Sequence, residues 1–217
     1  MAVPAARRSL LALLLGVLIA PACAQANNTM SNVAGTGTAS FSGDGGLAIL
    51  ATVSTPAGMA FLGDGTIVFC DYGNNRVRRI AADGTIATIA GTGTATSSGD
   101  GGAATSAGVR TPVDIAIAPD GVSIYVLENT GYKVRKFTVG GNISTIAGTG
   151  TAGVTGDGGA ANAARINTAY GIDVAPNGDL YIGDTTNAKV RKVTASAGAI
   201  DGSQTISTVA GTGVNGF

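Results

Sequence analysis

From residue 58 onward the chain is a succession of short apolar runs cut by polar turns. The first set is "GMAFL" (58–62), "TIVFCD" (66–71), "NRVRRI" (75–80) and "TIATIAG" (85–91). The second is "VDIAIA" (113–118), "SIYVLE" (123–128), "YKVRKF" (132–137) and "NISTIAG" (142–148). The third is "GIDVA" (171–175), "DLYIGD" (179–184), "AKVRKV" (188–193) and "TISTVAG" (205–211). Runs of this length, rich in β-branched residues and bounded by turn residues, predict strands and not helices. Between the first two runs of each set stand Asp64-Gly65, Asp120-Gly121 and Asn177-Gly178. Such dipeptides suit the positive φ of a tight hairpin. The pattern therefore predicts three units of four antiparallel strands, roughly 55–93, 111–150 and 169–213. A lone strand at 31–35 reads as the outer strand of a preceding unit.

The segments between units also repeat. "AGTG" begins at Ala34, Ala90, Ala147 and Ala210, at spacings of 56, 57 and 63 residues, and "GDGG" follows the first three. A glycine-rich run beside a strand raises the question of a phosphate loop. However, a phosphate loop is used once per site and carries a Lys-Ser/Thr pair that is missing here. A segment used four times is an architectural joint, and "DGGAANAARI" from Asp157 has room for one helical turn within it. Periods in this range belong to propellers and solenoids. A four-stranded sheet that is apolar on both faces must be covered on both, and stacking such sheets around an axis achieves this. The expected fold class is all-β, a β-propeller of four-stranded antiparallel blades.

Composition narrows the chemistry. The chain has 217 residues with 35 glycines, no histidine, no tryptophan and 12% charged residues. Without histidine there is no His-ligated metal and no imidazole acid–base catalysis. Residues 1–24 read as a signal peptide: Arg7 and Arg8, an apolar run from Leu10 to Ala20, then Ala22-Cys23-Ala24 as a small-x-small cleavage site. The expected localisation is secreted or cell-surface, and no other segment has the length of a membrane span. The remaining 11 basic and 13 acidic residues are close to balance, which does not favour nucleic-acid binding. Cys70 is then the single cysteine, expected as a small buried hydrophobe. Asn27 in "NNT" and Asn142 in "NIS" are glycosylation sequons.

Each second strand ends in an acid followed by a basic-Val-Arg triplet: Asp71 with "NNRVR", Glu128 with "GYKVR", Asp184 with "NAKVR". With the "AGTG…GDGG" linkers, these residues resemble the NHL repeat, a propeller blade module, in the subtype of secreted bacterial proteins and teneurins. The likeness runs from about Val33 to the end. The second unit departs from it, with Glu128 in place of Asp and Gly131 in place of Asn, which would loosen one turn.

Alternation puts Arg78, Arg135 and Arg191 on the faces that carry Ile80, Phe137 and Val193, between blades. Asp71–Arg78, Glu128–Arg135 and Asp184–Arg191 are therefore expected as partly buried structural ion pairs. A functional basic stripe of Arg76, Arg79, Lys133, Lys136, Lys189 and Lys192 is the alternative. Asp44, Asp100 and Asp157 in "GDGG" are expected as turn caps; one acid per loop is a thin supply for calcium. Asp114 and Asp173 are placed at matching positions of the innermost strand. No cofactor is expected. The expected function is a secreted protein- or glycan-binding scaffold. The alternative, implied by lactonases of this architecture, is a gluconolactonase-type hydrolase using a carboxylate-bound divalent metal. Three blades do not close a ring, so the expectation is a fragment of a larger propeller, or else two chains that associate to complete one.

Overall fold

A computed structural model describes residues 30–214. The signal peptide, Cys23, Asn27 and Phe217 lie outside the described residues. Twelve strands form three four-stranded antiparallel sheets in simple sequential order. Blade 1 holds β1 (Pro56–Phe61), β2 (Ile67–Asp71), β3 (Arg76–Ile80) and β4 (Ile86–Ala90). Blade 2 holds β5 (Pro112–Ile117), β6 (Ile124–Glu128), β7 (Lys133–Phe137) and β8 (Ser144–Ala147). Blade 3 holds β9 (Gly171–Val174), β10 (Leu180–Asp184), β11 (Lys189–Val193) and β12 (Ile206–Ala210). Residues 31–35 pair with no sheet. The segment has the sequence of an outer strand, but among the described residues it has no inner strands beside it.

The sheets stack through their alternating side chains. On β6, Ile124 and Val126 face blade 1 and pack with Val68, Cys70, Val77 and Ile89. Their neighbours Tyr125 and Leu127 face blade 3 and pack with Ile172, Leu180, Ile182 and Val193. Period-two alternation on a strand apolar on both sides is what allows one sheet to serve two cores. Cys70 lies fully inside the first of these cores, and burial, with a contribution from Asp114, pushes its thiol well above the usual range.

The linkers cross from the outer strand of one blade to the inner strand of the next, each with a short 3-10 turn: Ala48–Leu50, Ala104–Ser106 and Ala161–Ala163. Their glycines are needed where the chain doubles back. Gly148 has φ of +87°, and a Cβ there would overlap the Tyr132 carbonyl oxygen. The linker is thus an architectural joint built on the left-handed conformations that glycine adopts without penalty. Three non-glycine residues at the entries to the innermost strands, Thr55, Thr111 and Thr168, also have positive φ. That conformation is strained for a β-branched side chain.

Candidate functional site

The repeated ionisable residues meet at one place per blade. Each third strand carries a register shift at its basic-Val-Arg triplet, between Val77 and Arg78, Val134 and Arg135, Val190 and Arg191. A bulge of this kind bends the strand and re-aims the side chain beside it. The three arginines are completely buried. Arg78 lies 3.5 Å from Asp71 and 2.7 Å from Asp44, and also donates to the Ser42 and Thr52 carbonyls. Arg135 lies 2.8 Å from Glu128 and 2.6 Å from Asp100. Arg191 lies 3.6 Å from Asp184 and 2.8 Å from Asp157. The acids ending the second strands stand directly opposite Arg76, Lys133 and Lys189, and the buried arginines reach them diagonally.

The "GDGG" aspartates therefore do not cap their own turns. Each reaches a buried guanidinium 34 or 35 residues further along the chain. Two of them accept a second bond from the outer strand, Thr145 to Asp100 and Thr208 to Asp157. A guanidinium presents five donors in a rigid fork, so one arginine can hold a strand acid, a linker acid and linker carbonyls together. Burial raises the Asp157 carboxyl, but the Thr208 hydroxyl and Arg191 outweigh it and hold it below the usual value. The signal for this contact was in the sequence: one linker acid and one arginine per unit at a nearly constant offset.

The second blade shows how the acid position is built. In blades 1 and 3 an asparagine donates to the acid, Asn74 to Asp71 and Asn187 to Asp184, each at 2.9 Å. The equivalent residue in blade 2 is Gly131. A Cβ there would overlap Glu128 Oε2 and stand 2.7 Å from the glutamate Cβ. The longer glutamate fills the space that asparagine fills elsewhere, so the Glu–Gly pair is a compensated exchange. The turn itself differs: residues 72–74 and 185–187 form 3-10 turns closed by the Asn75 and Ala188 N–H groups, and residues 129–131 form no such turn. Burial pushes the Glu128 carboxyl up, and Arg135 draws it the other way.

The remaining charges separate by end. The hairpin turns on one end carry Asp64, Asp83, Asp120, Asp179 and Asp201. Side-chain hydrogen bonds from Thr66, Thr85 and Ser203 hold Asp64, Asp83 and Asp201 below the usual carboxylate range. Burial raises Asp120 and Asp179, but bonds from Ser123 and the Ala195 N–H outweigh it and both lie low. Arg79 and Lys192 on this end are paired, with Asp64 at 2.8 Å and Asp179 at 3.4 Å. Lys136 donates to the Ile200 carbonyl. The stripe of six basic residues is consequently divided. Arg79, Lys136 and Lys192 lie at the hairpin end, and Arg76, Lys133 and Lys189 begin the third strands at the opposite end.

That opposite end also carries Arg110 and Arg165. Thr111, next to Arg110, is bonded to the Asn129 turn, and Arg165 packs beside Gly153, whose carbonyl accepts from Asn187. Arg76 stacks 3.6 Å over the Phe41 ring. The strand acids of this end, Asp71, Glu128 and Asp184, are buried, and the partly exposed Asp157 lies 3.8 Å from Lys189.

Asp114 and Asp173 are not at matching positions. Ile115 pairs with Val126, and Ile172 with Ile182, so Asp114 corresponds to Gly58 and Gly171, and Asp173 to Ala60 and Ala116. The two aspartates stand two positions apart in register and so lie on the same face of their respective sheets, the face turned toward the following blade. Asp114 is occupied in joining blades: Oδ1 accepts from the Ile115 N–H and Oδ2 from the Ile172 N–H of blade 3, both at 2.9 Å. No group of three or more metal-ligating side chains occurs among the described residues. Asn142 is exposed on the turn between β7 and β8, with Ile143 buried and Ser144 exposed.

Comparison with known proteins agrees with the stacked-sheet architecture. An auxiliary nutrient binding protein of Bacteroides thetaiotaomicron superposes with a TM-score of 0.54 at 13% identity, over 73% of this chain and 36% of its own. The nidogen/laminin complex structure superposes with a TM-score of 0.50 at 15% identity, over 73% and 49%. The fold is that of a β-propeller. In sequence the chain is similar to mouse teneurin-3, 33% identical over 161 residues, and to teneurin-m of Drosophila melanogaster, 25% identical over 161 residues. These matches cover 70% of this chain and 6% of either teneurin. No protein-family model matches the chain. No helix among the described residues is long and apolar enough to cross a membrane.

Proposed function

We propose that this chain is an NHL-type propeller segment of a secreted protein, serving as a binding module for an anionic protein or glycan ligand. The docking surface is the end that carries Arg76, Arg110, Lys133, Arg165 and Lys189. The observation that carries this reading is the separation of charge. The hairpin aspartates hold turns at one end, while the opposite end presents cations whose strand acids are buried and already paired; of these cations Lys189 also lies 3.8 Å from the partly exposed Asp157. Arg110, Lys133 and Arg165 have no side-chain ion pair among the described residues, and a cation without a partner can bind an incoming anion without first giving up a bond. The similarity to teneurins supports an extracellular setting, and the structural Asp71–Arg78, Glu128–Arg135 and Asp184–Arg191 pairs leave the blade interiors to architecture.

The test uses immobilised heparin and an immobilised acidic peptide, each at about 50 and 200 mM salt, with the double variant Arg110→Glu/Arg165→Glu. Binding to one of the two probes should fall at least about 10-fold in the variant and weaken with salt, as screening requires. A control reversing the opposite end, Asp64→Lys/Asp83→Lys, should not weaken it. Binding to neither probe, or equal loss in both variants, would sink the reading.

A further inference from the structure

At the hairpin end, blades 1 and 2 part to leave a cleft of about 560 Å³. Its walls are the β1–β2 turn, the β5–β6 turn and the start of the β7–β8 turn, with Arg79 of β3 beside them. Three aliphatic side chains line it, and each is out of step with the repeat. Leu62 stands where blades 2 and 3 have Ala118 and Ala175. Val139 stands where the corresponding turns have Ala82 and Ala195. Val122 has no counterpart, because the β5–β6 turn is one residue longer than the β1–β2 and β9–β10 turns. Val122 and Val139 are 56% and 44% exposed. The two hairpin turns are fixed to each other by backbone, the Gly63 N–H donating to the Gly121 carbonyl at 2.8 Å, so the cleft exists before any ligand arrives.

The same place between blades 2 and 3 is filled by the chain itself. The β11–β12 connection, Val193 to Ile206, is seven residues longer than its counterparts Ile80 to Ile86 and Phe137 to Ile143. Its extra residues fold back over the junction. Ile200 is 1% exposed and packs in a core that includes Ala118 and Tyr125 of blade 2 and Leu180 and Val193 of blade 3. Lys136, which holds in β7 the position of Arg79 in β3, donates to the Ile200 carbonyl at 3.3 Å. Pro119, at the position of Gly63, has no N–H to tie to the next turn, and Gly198 of the loop packs against Gly178 instead. The filled junction shows what this shape accepts: an aliphatic side chain on a tight loop, with a carbonyl turned toward the cation of the third strand.

We propose that the cleft between blades 1 and 2 is a docking site for a loop of a partner protein, which inserts one aliphatic side chain between Leu62, Val122 and Val139. In Arg79, Nε and Nη2 are engaged by Thr66 and Asp64, and Nη1 has no partner among the described residues. That nitrogen donates to a carbonyl of the incoming loop, as Lys136 does to Ile200. Charge selects the loop further. Asp64 is paired with Arg79 at 2.8 Å, whereas the Val122 and Ser123 groups that bond Asp120 are neutral. The lining therefore carries one more acid than base, and the occupant has a lysine or arginine near its aliphatic residue. The site lies at the end opposite the cationic surface and does not depend on what binds there.

The test titrates two head-to-tail cyclic peptides of residues 196–204, one with the natural sequence and one with Asp201→Lys, into the isotope-labelled chain. Amide signals should move at Gly63, Gly121, Val122 and Val139, with a dissociation constant at or below about 1 mM for the tighter peptide. The lysine peptide should bind at least about 3-fold more tightly at about 50 mM salt, and that advantage should vanish at about 500 mM. Ile200→Ser in the lysine peptide should weaken it at least about 10-fold, as loss of a buried aliphatic group requires. The chain variant Val122→Ser/Val139→Ser, altered at two exposed positions, should bind at least about 5-fold more weakly with its urea midpoint unchanged. No shift at about 5 mM of either peptide, shifts confined to other surfaces, or binding untouched by the valine variant would overturn the proposal. So would isoamyl alcohol binding as tightly as the peptide, which would make the cleft a pocket for a small molecule.

Discussion

The Glu128–Gly131 exchange permits a prediction that turns on one pair of residues. Gly131→Asn introduces the residue found at the equivalent place in blades 1 and 3. The Gly131 backbone does not lie in the left-handed region, so the obstacle is steric: a Cβ 2.7 Å from the Glu128 Cβ and overlapping its Oε2. Overpacking at a buried site costs about 1–3 kcal/mol. Glu128→Asp alone withdraws the carboxylate from its 2.8 Å contact with Arg135 and leaves a methylene-sized void, for roughly 1–1.5 kcal/mol. The double variant recreates the arrangement of blades 1 and 3, in which asparagine donates to aspartate at 2.9 Å. It should therefore be within about 1 kcal/mol of the parent, with a coupling of about 2–3 kcal/mol, at the upper end of what contacting residues show. Urea unfolding of the four proteins measures this directly. Additive single effects, to within about 0.5 kcal/mol, would refute the view that the glutamate occupies the missing asparagine's space.

Other consequences are simpler to check. Asp64, Asp83, Asp120, Asp179 and Asp201 have carboxyls below their ordinary values in the folded chain. Their contribution to stability is present above the unfolded value and lost as pH falls through the folded one, so the urea midpoint should hold from about pH 6 to 4.5 and fall below about pH 4; a midpoint flat down to pH 2.5 would contradict it. Cys70, buried and with its thiol pushed up, should resist a thiol reagent at pH 8 until urea unfolds the chain, whereas rapid labelling of the native protein would show the core to be open. Because Asp44, Asp100 and Asp157 are engaged by arginines, millimolar calcium or EDTA should move the melting temperature by less than about 1 °C. A larger shift would indicate a metal site.

Which features were legible in the sequence follows from how local they are. The blades were legible because strand alternation, the Asp-Gly and Asn-Gly turns and the repeat period are short-range patterns, and every strand falls within the runs they mark or a residue or two beyond. The acid–arginine contacts join residues seven apart on adjacent strands and followed from alternation. The linker aspartates did not, because their partners lie about 35 residues away and depend on how a glycine-rich crossover folds back. Asp114 and Asp173 were misaligned although the count was available: Met59, Ile115 and Ile172 each stand five residues before the turn dipeptides that begin at Asp64, Asp120 and Asn177, so Asp114 precedes that position and Asp173 follows it. The outer-strand character of residues 31–35 was readable, but pairing needs neighbours that sequence alone does not supply. The separation of cations from hairpin aspartates emerged only when antiparallel pairing assigned each turn to an end.

The account rests on the repeated arginines being architecture and the exposed cations being the binding surface, and Arg135→Met separates the two most directly. Arg135 is fully buried against Glu128 and Asp100, and removing one partner of a buried ion pair costs about 3–5 kcal/mol. Urea unfolding should show a loss of that size, while the folded fraction binds the immobilised polyanion with the parent's affinity. A variant as stable as the parent to within about 0.5 kcal/mol that has lost its binding would contradict the account and place Arg135 in the ligand site.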